Sequence, residues 1–173
     1  MVKANEGLLQ HRRVHRANEK HHLPRQKLLL VNLVNVSDAV ILLPKLQTGI
    51  DVNVRFSGVK DFEYTSECGI FDLFNIDLYH GWLVDPQQEE DVKVVNGLSY
   101  NQLVEKIISN KNSADNNLVS QSLVAQNFLE ESASQLTYHG LCELASTMNE
   151  NELAIFFRNN HFSTIYKHKN VSR

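Results

Sequence analysis

Apolar residues along VSDAVILLPKLQTG, Val36 to Gly49, recur at helical spacing behind Ser37 or Asp38 as N-cap, with Gly49 as the stop. Pro44 lies inside that run; a proline in a helix interior costs about 3 kcal/mol, so the expected helix is kinked or shortened. The period then falls to two. In DVNVRF, Val52, Val54 and Phe56 alternate with Asp51, Asn53 and Arg55, which predicts a half-buried strand. Gly58 turns the chain, Glu67 to Phe74 fits a short helix, and LYHGWLVDP reads as an extended segment ended by Pro86.

Helical spacing returns after Ser99. Ser99 and Gln102 form a capping-box signature, and Leu103, Val104, Ile107 and Ile108 share one face of the helix NQLVEKIIS. The polar stretch Asn110 to Asn117 is a loop, and Leu118 to Ser132 and Tyr138 to Met148 predict two more helices. Leu153 to Phe157 and Phe162 to Lys167 then read as strands flanking an RNNH turn, which puts His161 at a strand edge beside a tight loop. Strands and helices in this order point to an α+β fold.

Composition narrows the class. A chain of 173 residues with 42% hydrophobic and 21% charged residues suits one globular domain. No apolar run approaches the roughly 18 to 20 residues that span a bilayer, and the first residues show no signal-peptide core, so the expectation is an intracellular protein, cytoplasmic or nuclear, without membrane partners. Residues 1–27 hold seven Lys/Arg against two Glu, a net of +5, so the rest carries −8 against the whole-chain −3. That split reads as a basic, disordered arm on an acidic folded part, residues 28–173, and the arm as a solvated tail, not a nucleic-acid ligand. Within it, His11 and His15 have the H-x3-H spacing of a zinc finger's second half. No cysteine precedes them, and two imidazoles fill only half of a tetrahedral site, so no metal is expected. Cys68 and Cys142 belong to no disulfide or metal pattern and read as reduced, buried small hydrophobes.

Five strings in order carry a family likeness: LQTGIDVNVRFSGV, FDLFNIDLYHGWLVDPQ, SYNQLVEKII, LVAQNFLEESASQLTYHGLCEL and FFRNNHFST. Together they closely resemble the MINDY deubiquitinases, almost without gaps from about Asp38 to Asn170. The resemblance implies a distantly papain-like catalytic domain that cleaves lysine-48-linked polyubiquitin through a cysteine thiolate, without a cofactor. His161 matches the family's histidine, and an imidazole suits the work of taking the thiol proton and giving it to the leaving lysine amine. From the residues alone, an ordinary turn histidine is the favoured reading of His161.

In the family the nucleophile belongs to a Gln-Asn-x-Asn-Gly-Pro-Cys-Pro-like string ahead of the matched region, and an apolar strand follows it. The chain contains neither, so an incomplete domain is expected. Cys68 and Cys142 match non-catalytic positions, and their neighbours Glu67 and Glu143 disfavour a thiolate. By the same resemblance Val52, Trp82, Tyr100 and Phe157 contact ubiquitin. The His80-Gly81 pair before Trp82 suits a surface position for that ring, and core packing suits the only tryptophan equally. These readings converge on a MINDY-type domain without its own nucleophile, inactive alone. The alternatives are a noncatalytic ubiquitin-binding module or pseudoenzyme, and a fragment that does not fold stably.

Overall fold

The computed structural model describes residues 40, 41, 43, 44 and 49–168. The helix expected over 36–49 falls mostly outside them; Val40 and Ile41 are helical and Leu43 and Pro44 form a turn. The basic stretch 1–27, with His11 and His15, also lies outside the described residues. The fold is α+β, as the order of periods predicts.

The alternation at 51–56 yields a shorter strand than expected, β1 (Asn53–Val54), paired antiparallel with β2 (Phe62–Glu63). Arg55 ends the ladder by bridging to Ser99, and Phe56 donates its N–H to the Leu98 carbonyl at 3.3 Å. The two-residue period still sorts the side chains, because Val54 and Phe56 are buried. Helix α1 (Ser66–Leu73) follows, its N-cap Thr65 accepting from the Cys68 N–H.

Strand β3 (Leu78–Tyr79) opens an extended segment in which every residue from Tyr79 to Val84 is buried. Trp82 and Val84 enter one apolar cluster with Phe56, Leu103 and Phe128, whereas Tyr79 and Leu83 enter a second with Leu144 and Met148. The segment therefore divides the two clusters, and period-two geometry sends alternate side chains to each. Buried backbone must still find partners. His80 N–H donates to the Val59 carbonyl at 2.9 Å, Val84 N–H to Phe56 at 3.1 Å, and the Gly81 carbonyl accepts from Thr137 N–H at 3.0 Å.

Helix α2 (Glu89–Val95) has no counterpart in the periodicity reading. Its signals are Glu89, Glu90 and Asp91 at the positive end of the helix dipole and Lys93 in the last turn. Helix α3 (Tyr100–Asn110) carries the expected capping box, with Ser99 fully buried and Gln102 bonded back to its N–H at 3.0 Å. Asp115 caps α4 (Asn116–Glu131), and Thr137 caps α5 (Tyr138–Thr147). Strands β4 (Leu153–Arg158) and β5 (His161–Tyr166) complete a sheet of order β3-β4-β5, parallel between β3 and β4 and antiparallel between β4 and β5. No helix among the described residues is long and apolar enough to cross a membrane.

Candidate functional site

Four elements meet around a cleft of about 550 Å³, whose walls include Val52 before β1, Trp82 of the extended segment, Tyr100 at the start of α3 and Phe157 of β4. All four residues that the family likeness points to for ubiquitin contact thus face one cavity. They lie at four separate places in the chain, and packing joins them. The rim adds Asp51, Glu63, Tyr64, Gln135 and Asn160.

Trp82 is 4% exposed, so of the surface and core positions that the sequence left open, the ring takes the core one. Its ring meets Phe56 edge-on at 5.2 Å between centroids, and Tyr100 lies over it at 5.6 Å. Its indole N–H donates to Ser132 Oγ at 2.6 Å, so the polar end of the ring is satisfied inside the protein. Trp82 therefore forms a cleft wall that is also core. Tyr100, at 40% exposure, is the accessible aromatic of the group, and Phe157 is buried at 7%.

His80 sets the backbone that presents Trp82. Its Nδ1 lies 3.2 Å from the Trp82 N–H and its Nε2 3.1 Å from the Asp61 carbonyl, so the ring accepts at Nδ1 and donates from Nε2. That is the neutral tautomer. Burial pushes its pKa down to about 4, because a charged ring loses its hydration there. Above about pH 6.5 the ring is neutral in folded and unfolded chains alike. As the pH falls from there toward 4, only the unfolded chain takes up the proton, and stability drops by on the order of 3 kcal/mol. Urea unfolding at pH 7 and pH 4.5 should show this loss in the wild type and a shallower one in His80→Asn, which keeps an acceptor for Trp82. Identical pH slopes in the two chains would rule His80 out as the cause.

Polar side chains fix the cleft's other wall. Asn53 donates through Nδ2 to Glu63 and, at 3.1 Å, to Ser99 Oγ, while its Oδ1 accepts from the Asn101 N–H at 3.3 Å. One amide thereby ties the β1–β2 pair to the start of α3. Sequence reasoning gave no site role to Asn53, Glu63, Asn101, Gln135 or Asn160, because a polar residue on the outward side of a periodic pattern or in a turn reads as solvated. The faint signal was the Asn159-Asn160 pair, since asparagine tolerates the left-handed backbone of a tight hairpin.

That turn carries His161. Asn159 and Asn160 have φ of 51° and 56°, as a two-residue hairpin loop of type I′ requires, and His161 opens β5 opposite Arg158. His161 is exposed, and the cleft's lining reaches Asn160 immediately before it. The cysteines lie elsewhere. Cys68 is partly buried on α1 with Sγ 3.7 Å from the Glu63 carbonyl, and burial raises its pKa. Cys142 is exposed on α5, contrary to the expectation of a buried position. Among the described residues, no cluster of three or more His, Cys, Asp or Glu side chains is placed to hold a metal ion.

Comparison with known proteins identifies the domain. The sequence profile of the MINDY deubiquitinases matches residues 8–172. Ubiquitin carboxyl-terminal hydrolase MINDY-1 of Mus musculus is 68% identical over 135 residues, covering 78% of this chain and 29% of the relative. The Homo sapiens MINDY-1 is 66% identical with the same coverage, and Homo sapiens MINDY-2 is 65% identical, with 78% of this chain and 22% of the relative aligned. The chain thus spans less than a third of the length of these relatives. A profile match over nearly every residue, together with identities of this size over 78% of the chain, places the chain in the MINDY deubiquitinase family.

Proposed function

We propose that these residues form the ubiquitin-holding and proton-transferring part of a cysteine-type deubiquitinase acting on lysine-48-linked polyubiquitin. The observation that carries this is the convergence of Val52, Trp82, Tyr100 and Phe157 on one cleft that ends beside the His161 turn. In this reading a thiolate attacks the isopeptide carbonyl, the C–N bond breaks, and the His161 imidazolium gives its proton to the departing lysine amine. Water then cleaves the thioester, with the same imidazole as base.

Neither cysteine of the chain suits the attack. Burial holds Cys68 toward its protonated form, and Cys142 stands beside Glu143, a neighbour that disfavours a thiolate. The nucleophile in this proposal is a cysteine that the 173 residues do not contain, and by themselves they bind polyubiquitin without cleaving it.

The test combines a gel assay with fluorescence anisotropy on labelled lysine-48-linked tetraubiquitin. Intact tetraubiquitin should be recovered and a saturable binding curve observed, with weaker binding to lysine-63-linked chains. Tyr100→Ala should weaken binding about 30-fold, the loss typical of a central aromatic anchor worth 2 kcal/mol. Cleavage that disappears in Cys68→Ala or Cys142→Ala would overturn the account of the nucleophile. Unchanged affinity in Tyr100→Ala would remove ubiquitin from the cleft, and equal affinity for both linkages would remove the specificity.

A further inference from the structure

Two left-handed pieces of backbone meet beside the cleft. Among the described residues five non-glycine positions have positive φ, and three of them, Gln135, Asn159 and Asn160, come together here. Asparagine tolerates that conformation, whereas a glutamine holds it only where its surroundings enforce it. The Asn159 N–H donates to Gln135 Oε1 at 2.9 Å, and Arg158 Nε donates to the Ser134 carbonyl at 2.7 Å. The loop between α4 and α5 thus grips the β4–β5 turn at two consecutive residues, once through a side chain and once through a main-chain carbonyl. Gln135 and Asn160 also line the same cleft.

We propose that Gln135 is a positioning residue for His161: its side-chain oxygen, aimed by a left-handed backbone, locks the Asn159-Asn160 turn from which the histidine departs. The proposal rests on the reading of His161 as general base. A type I′ turn of two asparagines is a good hairpin loop in its own right, closed by its last ladder pair, Arg158 and His161. The bond to the Asn159 N–H adds a hold on it from a different part of the chain. The direction of the imidazole is then set by the α4–α5 loop as well as by the sheet. Pre-organisation of this kind separates a base held for transfer from a histidine that visits the site.

The 173-residue chain itself supplies the test, by NMR. Amide exchange at Asn159 and the position and width of the His161 ring resonance are read in Gln135→Leu, Gln135→Glu and Gln135→Gly, with His161→Ala used for assignment. Gln135→Leu should lose about tenfold of the Asn159 protection, the worth of one hydrogen bond, and broaden the His161 resonance. Gln135→Glu keeps an acceptor and should retain both signatures. Gln135→Gly relieves the backbone, so it folds even where the leucine variant does not, and it should show the same losses as the leucine. Wild-type protection and linewidth in the leucine or glycine variant would overturn the proposal, as would their loss in Gln135→Glu. Failure of the general-base reading is distinguishable, because the Asn159 protection and the His161 linewidth are read without turnover and keep their dependence on Gln135 whether or not His161 transfers a proton.

Discussion

Trp82→Ala should lose about 3 to 5 kcal/mol of folding stability, the range for deleting a large aromatic from a packed core. Three contacts vanish together: the edge-on packing against Phe56, the contact beneath Tyr100 and the bond from the indole N–H to Ser132 Oγ. Domains have only about 5 to 15 kcal/mol in total, so the variant should unfold at a markedly lower urea concentration. Trp82→Phe keeps most of the ring volume and leaves Ser132 without its donor, a smaller loss of about 1 to 3 kcal/mol. Trp82 is the only tryptophan, so its fluorescence reports wild-type unfolding and circular dichroism must serve for the variants. A midpoint for Trp82→Ala close to that of the wild type would mean that the ring lies at the surface. The expected outcome also governs binding experiments: weakened ubiquitin binding in Trp82→Ala reads unfolding, and Tyr100→Ala is the variant that reads contact.

The same tryptophan shows where sequence reading runs out. Period and capping are local, and they located α1, α3, α4, α5, β4 and β5 within a residue or two, because a Ser99–Gln102 box or a short apolar run bounded by turn residues needs no partner to be recognised. Burial of the Tyr79–Val84 segment is a property of two clusters that close over it from both sides, and Gly81 beside Trp82 looked like exposure when it marks close packing. Helix α2 was missed because seven residues give too few turns for a 3.6-residue period to stand out against its charges.

The candidate site divides in the same way. Val52, Trp82, Tyr100, Phe157 and His161 came from family resemblance, and the fold gathers the first four at one cleft. The polar residues that brace it were invisible, since their partners lie far along the chain: Asn53 reaches Ser99 across 46 positions, and Asn159 reaches Gln135 across 24. No spacing rule predicts such a bond before the elements are packed.

Gly140→Ala should destabilise the domain by about 3 kcal/mol, the upper range for forcing an extra carbon into a packed site. Helix propensity alone predicts the opposite sign, because alanine is favoured over glycine in a helix interior by up to about 1 kcal/mol. Contact decides. A Cβ built on Gly140 would stand 1.9 Å from the Gly81 carbonyl oxygen and 2.6 Å from its carbon, both backbone atoms with no rotamer to turn away. That oxygen is already held by the Thr137 N–H at 3.0 Å, while Thr137 Oγ1 donates to the Leu83 carbonyl at 2.9 Å and accepts from Gly140 N–H at 3.0 Å. To admit the methyl group, α5 must retreat and strain or break these three bonds, or Gly81 must shift and carry Trp82 with it into the cleft. Gly81→Ala supplies the contrast: its Cβ would meet the ends of Leu136 and Leu144, side chains that can move, so the loss should be nearer 1 kcal/mol. Urea midpoints for the two variants, measured beside the wild type, give the order directly. If Gly140→Ala proves as stable as the wild type, α5 does not lie against the extended segment as closely as described, and the Thr137 bonds are not what fastens Trp82 in the cleft wall.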